Sequence, residues 1–142
     1  AEDKPNNYKE LLDSYLIIQK SLSIDKVPSS AEQEKFTILF KKVPKDLYKT
    51  VAPTVLKSID SMKNSKDLGI ARAAFKNIST VMIKLAENGS FNSGNKPINL
   101  AHCSMAVKNQ GASWLQRGDK IENPYMGSRM LRCGKMKKYS QK

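Results

Sequence analysis

Long apolar runs, arginine and catalytic signatures are what this sequence lacks. No stretch approaches the roughly 20 consecutive apolar residues that a membrane-spanning helix needs, so we expect no transmembrane segment. Only four of the 25 basic residues are arginines, whereas RNA and DNA sites usually need an arginine-rich patch interleaved with aromatic residues. The formal net charge of +12 therefore favours acidic partners in general, and we expect no specific nucleic-acid partner.

The signatures of common enzymes are missing as well. The only histidine, His102, stands beside Cys103 without a placed acid, no pair of carboxylates stands out, and the glycines form no phosphate-binding loop. Thiol oxidoreductases usually carry Cys-x-x-Cys, which is absent here. We therefore predict that the protein is not an enzyme.

The start of the chain is typical of an exported protein. Residues 1–5 read Ala-Glu-Asp-Lys-Pro, with no initiator methionine and no apolar leader, as after cleavage by a signal peptidase behind a small residue. An artificially shortened chain would look the same. The length of 142 residues suits one domain with its own core.

Apolar residues recur at the spacing of an amphipathic helix from the beginning of the chain. This spacing predicts a first helix over residues 7–23, in which Gln19 is a polar lapse on the apolar face. Ser29 and Glu32 have the form of a capping box, which satisfies the free amides at a helix start. A second helix is therefore predicted to begin near Ser30.

A longer apolar stripe occupies residues 36–62. Pro44 and Pro53 each remove an amide and clash with the preceding turn, so we expect a broken or kinked helical run there. A last stripe over residues 71–85 predicts another helix, which ends at Asn88-Gly89, where glycine suits a left-handed cap.

The helical period stops after these segments. Residues 89–99 have turn-forming composition and are predicted to be a linker loop between a helical scaffold, 1–88, and a segment rich in Cys, Met and His, 100–142, packed on it within one domain. We thus predict a mainly α fold, a small bundle of three to four helices with an irregular C-terminal segment. Within that segment, residues near 100–107 and 131–137 are candidates for a short two-stranded β pairing.

The C-terminal segment concentrates soft metal ligands. Thiolate, thioether and imidazole are soft or borderline donors, and cysteine combined with several methionines selects copper(I) or silver(I) over zinc. The candidates fall into two clusters: His102, Cys103 and Met105, then Met126, Met130, Cys133 and Met136.

The spacing of these residues indicates which of their side chains could face the same metal ion. Neighbours in an extended segment point to opposite sides, so Cys103 and Met105 would share a side and His102 ranks below them. In the second cluster, Met126 and Met130 are four residues apart and Met130 and Cys133 three apart, as on one helical turn.

Each candidate also has a structural interpretation. Met62 and Met82 lie on apolar helix faces and are predicted to be core residues. The methionines near the cysteines are as consistent with packing in the core as with metal ligation. Trp114 and Tyr125 would either shield a site from water or form a small core. The two cysteines, 30 positions apart, would as a disulfide stabilise the fold by about 3 kcal/mol. The residues alone leave both interpretations of the cysteines open.

Three runs in this segment carry a family resemblance: His-Cys-Ser-Met-Ala at 102–106, Gly-Ala-Ser-Trp-Leu at 111–115, and Ile-Glu-Asn-Pro-Tyr-Met-Gly-Ser-Arg-Met-Leu-Arg-Cys-Gly at 121–134. They resemble a bacterial periplasmic domain family of unassigned function that is often fused to CusB-type heavy-metal efflux adaptors. The family pattern is Cys-Pro-Met-Ala, then Trp-Leu, then Asn-Pro-Tyr-aromatic-Gly followed by Met, Cys and Gly.

The resemblance implies an envelope compartment and a role in copper or silver handling. Position by position, it marks four residues as the site: Cys103, Met105, Met130 and Cys133. The chain departs from the pattern at Ser104, where the family usually has proline, and at Met126, where an aromatic residue is common. The first departure would loosen the local turn, and the second would add a ligand.

We therefore expect a periplasmic metal-binding protein for copper(I), and for silver(I) by the same chemistry. It would act as a carrier, buffer or accessory of metal efflux in copper homeostasis and resistance. Its partners would be the copper ion and a heavy-metal efflux adaptor or another periplasmic metal protein. The alternative is a disulfide-stabilised basic interaction module that docks on an acidic partner or a polyanion.

Overall fold

The fold is mainly helical, as the sequence predicts, with a small antiparallel sheet near the C-terminal end. The computed structural model describes residues 7–43, 49, 52–91 and 97–138. Over these residues the order of elements is α1 (Asn7–Ser23), α2 (Ser30–Lys42), α3 (Ala52–Lys63), α4 (Leu68–Glu87), β1 (Asn99–Cys103), the short turn α5 (Ala106–Asn109), β2 (Ala112–Gln116), a 3-10 turn (Gly127–Arg129) and β3 (Lys135–Lys138).

The first two helices begin where local signals predict. α1 occupies residues 7–23 and buries its apolar face. α2 follows Ser29, whose hydroxyl accepts a hydrogen bond from the Glu32 amide, while the Glu32 carboxylate accepts one from the Ser29 amide. The predicted capping box is therefore confirmed.

The long apolar stripe belongs to two helices, so the run is broken and not merely kinked. α2 ends at Lys42, and Pro53 lies in the first turn of α3, where a missing amide removes no helical hydrogen bond. Pro44 lies outside the described residues. α4 starts after Asp67, whose side chain caps the Ile70 amide, and it ends before Gly89, which has a φ of 82°.

The three strands pair in the order β2-β1-β3. The pairing of β1 with β3 is the one suggested by the sequence, with His102 opposite Lys135. Strand β2 was not predicted, because Ala112–Gln116 is short and lacks polar–apolar alternation; four of its five residues are buried. It pairs with β1 so that Cys103 lies opposite Ala112.

The sheet and the bundle share one core. Tyr15 of α1 stacks on Phe75 of α4 with ring centroids 4.9 Å apart, and Phe75 contacts Tyr125, which meets the fully buried Trp114 of β2 edge to face. Trp114 and Tyr125 are thus core residues that hold the C-terminal segment against the helices.

Candidate metal centre

Two thiols lie side by side where β1 and β3 meet. Cys103 is the last residue of β1 and is fully buried, and Cys133 lies two residues before β3 and is half-buried. Their sulfur atoms are 2.7 Å apart, and both cysteines are free thiols. The antiparallel pairing of β1 and β3 therefore brings together two cysteines that are 30 residues apart in the chain.

The pKa of the Cys133 thiol is raised above its usual value. The largest cause is its hydrogen bond with Cys103, which favours the neutral thiol; burial and the proximity of the Cys103 charge act in the same direction. Cys133 therefore holds its proton at neutral pH, and a metal ion that takes its thiolate has to displace that proton.

His102 lies on the opposite face of β1 from Cys103. Its side chain is exposed, and its Nδ1 atom is 2.7 Å from Ser113 Oγ. It borders a groove of about 370 Å³ that includes Lys76 and Lys84 of α4. His102 is thus separated from the thiol pair, as strand alternation predicts.

Met105 and Met126 lie on a cleft separate from the thiol pair. Both line a cleft of about 1020 Å³, here called the methionine cleft, and neither cysteine borders it. Because β1 ends at Cys103 and the chain turns, Met105 leaves the line of the strand and its side chain is 44% exposed. The prediction that Cys103 and Met105 share a side of one strand is therefore wrong.

The helical turn predicted through Met126, Met130 and Cys133 is also wrong. The structure has only a 3-10 turn at Gly127–Arg129, and Met130 leaves helical geometry with φ −148°. The Met130 carbonyl accepts a hydrogen bond from the Cys133 amide at 3.0 Å, and the Met130 side chain is 40% exposed. Met136 lies on β3 opposite Ala101 and is half-buried.

Asn123 organises this segment, and sequence reasoning missed it. Its side chain is fully buried; Oδ1 accepts hydrogen bonds from the amides of Tyr125 and Met126 at 2.8 and 2.9 Å, and Nδ2 donates to the Cys133 carbonyl at 2.9 Å. Asparagine before proline is a recognisable turn signal, because its side chain bonds the backbone two residues on. One amide therefore ties the loop that carries Met126 to the backbone of Cys133.

A polar clasp (Asp25, Arg72 and Ser128) fastens the same loop to the helices. Arg72 donates to Asp25 Oδ1 at 2.9 Å and to the Pro124 carbonyl at 2.8 Å, and both the amide and the hydroxyl of Ser128 donate to the Asp25 carboxylate. These hydrogen bonds hold the pKa of Asp25 below its usual value; the one from Ser128 has the largest effect and the one from Arg72 comes next. Gly127 is needed there, because a Cβ atom would collide with Asp25 and Arg72.

Gln19, the polar residue on the apolar face of α1, makes a third link between the helices and the C-terminal segment. Its buried side chain donates to the Glu122 carbonyl at 2.6 Å, and Lys20 forms an ion pair with the Glu122 carboxylate at 2.7 Å. A polar residue on that face is therefore satisfied by the C-terminal segment and not by solvent.

The candidate donors in this region are two thiols without a cluster of the ligands typical of zinc beside them. Within the described residues, no group of three or more His, Cys, Asp and Glu side chains converges. Structural zinc sites usually need four such ligands, whereas thiolate and thioether sulfurs select copper(I). A soft ion held by both thiols would require the two sulfur atoms, 2.7 Å apart, to separate.

Helices able to span a bilayer are not found in the described part of the chain. No protein-family model, curated protein or solved structure matches the chain.

Proposed function

We propose that the protein binds copper(I), and silver(I) by the same chemistry, at the thiol pair Cys103 and Cys133. The observation that carries this proposal is the adjacency of the two sulfur atoms, 2.7 Å apart at the meeting of β1 and β3. Thiolates are strong ligands for soft ions, and no carboxylate or imidazole cluster competes for a harder ion among the described residues.

A role in metal handling follows from this chemistry. A carrier, a buffer or an accessory of metal efflux in the periplasm needs a site that holds copper(I) and can give it up. Cys133 is half-buried and Cys103 fully buried, so a donor or acceptor ligand would approach the pair from the side of Cys133. Met130, three residues before Cys133 and 40% exposed, is our choice for an additional thioether ligand.

The test is anaerobic titration of the reduced protein with copper(I) in competition with a chromogenic chelator, combined with a thiol count. We expect one equivalent of copper(I) to protect both thiols from alkylation. Cys103→Ser with Cys133→Ser should abolish competition with the chelator, whereas Met62→Leu, a change in the buried core of α3, should leave it unchanged. Unchanged competition by the double serine variant would refute the assignment.

The same adjacency favours a second candidate, a disulfide-stabilised basic interaction module. A bond between the two sulfurs would close a loop of 30 residues, worth about 3 kcal/mol of stability. The module would dock on an acidic partner through its excess of lysines. Protein isolated without reductant would then show no free thiol, and after reduction it would still take up no copper(I).

A further inference from the structure

The methionine cleft is large because α4 contributes small residues to it. The cleft lies between the N-terminal end of α4 and the turns that follow β1 and precede the 3-10 turn. Gly69 and Ala73, about one helical turn apart on α4, line it with little or no side chain. Its volume of about 1020 Å³ reaches the upper end of the range of roughly 300–1,000 Å³ that is usual for ligand pockets. A space of this size can accept several side chains of a partner.

Both sides of the cleft are fastened to α4. On one side, Lys76 Nζ donates to Gln110 Oε1 at 3.1 Å, which ties the turn after β1 to the helix. On the other side, Arg72 donates to the Pro124 carbonyl at 2.8 Å and so holds the loop that carries Met126. A preformed surface of this kind loses little conformational entropy when a partner binds.

The turn after β1 has an unusual backbone. Val107, Lys108 and Asn109 are left-handed, with φ of 52°, 54° and 65°, a conformation that residues other than glycine rarely adopt. The amides of Asn109 and Gly111 donate back into the turn and hold it. Backbone strain of this kind concentrates at sites where a fixed geometry serves binding. Here the turn places Met105 and Lys108 on the same cleft.

Apolar side chains are exposed along the cleft. Ile70 is 46% exposed and Met105 is 44% exposed, and Met126 beside them on the lining is half-buried. Methionine adapts its flexible, polarisable side chain to the shape of a partner, which makes it common on binding surfaces. Because these groups line a concave space, they suit the side chains of a protein segment better than the flat surface of a bilayer.

The charges of the lining are mainly positive. The basic side chains are Arg72, Lys108 and Arg129, and the one carboxylate is that of Asp67. Arg72 is paired with Asp25, whereas Lys108 and Arg129 have no carboxylate partner in the part of the chain that the structure describes. These two cations, on the two turns, attract acidic groups.

Asp67 limits which acidic ligand fits. Its carboxylate accepts a hydrogen bond from the Ile70 amide at the start of α4, where a negative charge is favoured. It would repel a compact anion with many charges. An extended segment can instead place its carboxylates on the turns, at Lys108 and Arg129, and its apolar side chains beside α4.

We propose that the methionine cleft is a docking site for an acidic amphipathic segment of a partner protein. Apolar side chains of the segment pack on Ile70, Met105 and Met126, and its carboxylates pair with Lys108 and Arg129. This inference goes beyond the copper(I) site and does not depend on it. It gives the attraction of this basic protein to acidic partners one defined surface.

The test is a selection from displayed random peptides with the reduced, immobilised protein at physiological salt. We expect the enriched peptides to combine acidic and apolar residues and to compete with one another for one site. Their dissociation constants are then measured by fluorescence anisotropy with the unaltered protein and with variants of the cleft.

Two double variants remove the two kinds of contact separately. Ile70→Ser with Met105→Ser should weaken binding of the enriched peptides by about tenfold or more, because the apolar contacts are lost. Lys108→Glu with Arg129→Glu should weaken it by a similar factor, because the attraction becomes repulsion.

Each variant has a matched control outside the cleft. Ile17→Ser with Ile38→Ser changes apolar side chains that are 45% and 47% exposed on α1 and α2. Lys41→Glu with Lys42→Glu changes the net charge by the same amount at exposed positions on α2. Both controls should alter the dissociation constants by less than about threefold, since distant charges are screened by salt.

Three results would overturn the docking site. The first is a selection that enriches no peptide, and the second is a set of peptides that each control weakens as much as its cleft variant. The third is binding to phosphatidylglycerol vesicles that depends on the cleft residues while peptide binding does not, which would assign the cleft to a lipid surface. Copper(I) uptake is measured separately, so its failure would leave the docking site standing, and the reverse holds as well.

Discussion

The thiol of Cys133 combines two properties that oppose each other. Its residue is only half-buried, yet its hydrogen bond with Cys103 and its partial burial raise its pKa. A thiol of this kind is a poor nucleophile at neutral pH and becomes a good metal ligand only after it loses its proton. The proposed copper binding would therefore be coupled to pH through this residue.

We expect copper(I) binding near pH 7 to release a proton from Cys133. Because the pKa of this thiol is raised, the proton is present at neutral pH; affinity therefore increases as pH rises toward that pKa and levels off above it. Calorimetry in buffers of different ionisation enthalpy measures the release. A binding enthalpy that does not depend on the buffer would contradict thiolate ligation.

The carboxylate of Asp25 should make stability depend on pH in the acidic range. Its pKa is lowered by Ser128 and Arg72, so its contribution is present above the unfolded value of about 3.9 and is lost as pH falls through the folded value. Asp25→Asn should therefore lower the urea midpoint at pH 7 and have little effect at strongly acidic pH. The exposed Asp119→Asn serves as control, and an equal loss in both variants would argue against the clasp.

The side chain of Asn123 should contribute more to the free energy of unfolding than the side-chain amide of an ordinary surface residue. Asn123→Ala leaves two backbone amides and one carbonyl without their partner, which we expect to lower the free energy of unfolding by about 3 kcal/mol. Asn77→Ala, which removes one bond to Ser58, should cost about 1 kcal/mol. Urea titration measures both, and equal losses would show that Asn123 does not hold the loop.

At the scale of elements, the sheet depends on a helix at its outer edge. Strand β2 is an edge of the described sheet, and the Leu115 amide on it donates to the hydroxyl of Tyr15 on α1 at 3.1 Å, while this hydroxyl lies 2.6 Å from Ser79 Oγ on α4. Burial raises the pKa of Tyr15 so far that the group stays neutral. One hydroxyl thus joins α1, α4 and β2.

Tyr15→Phe removes this link and leaves the Leu115 amide buried without a partner. We expect a loss of about 1–3 kcal/mol in the free energy of unfolding and faster hydrogen exchange in β2. Tyr8→Phe is the control, because Tyr8 is only half-buried and contacts Phe91 through its ring. Similar exchange rates in β2 for the two variants would show that the strand does not need α1.

The elements also show what a single sequence can predict. The limits of α1 and the capping box of α2 follow from residues a few positions apart, so periodicity and cap chemistry find them. The bond from Tyr15 to Leu115 and the clasp from Asp25 to Ser128 join residues about a hundred positions apart. No local pattern encodes these contacts, and without them neither β2 nor the shape of the loop is predictable.

The same distinction applies to the candidate site. The chemistry of sulfur ligands identified the two cysteines that the structure brings together, because both flank the pairing of β1 with β3. The sequence assigns Met105 and Met126 to the same centre from their spacing, their thioether chemistry and the family resemblance. The turn after Cys103 takes Met105 out of the strand through local hydrogen bonds, and the clasp, a tertiary contact, holds the loop of Met126 at the same cleft.

At the scale of the whole molecule, the protein carries 25 basic and 13 acidic residues, and this positive net charge favours electrostatic attraction to acidic molecules. The charge is distributed over exposed lysines from α1 to β3, so attraction to polyanions is general and without a defined geometry. In the thiol pair, by contrast, Cys103 is fully buried and Cys133 is half-buried.

Salt should therefore separate the two kinds of binding. A tenfold rise in salt concentration should weaken binding to a polyanion such as heparin by about 10²-fold or more, since counterions compete for the lysines. The equilibrium copper(I) affinity of the reduced protein should change by less than about threefold, because short-range coordination bonds are not screened. Equilibrium competition at both salt concentrations measures the second effect, and a parallel loss of the two affinities would place the metal on the charged surface.

The lysines of β3 have a consequence for behaviour in concentrated solution. This strand is the other edge of the described sheet, and Lys135, Lys137 and Lys138 on it are exposed. An open edge invites a strand from a second copy to add and start an aggregate, but rows of like charges repel each other at that distance. We therefore expect these charges to disfavour pairing of two copies along the edge beside Cys133.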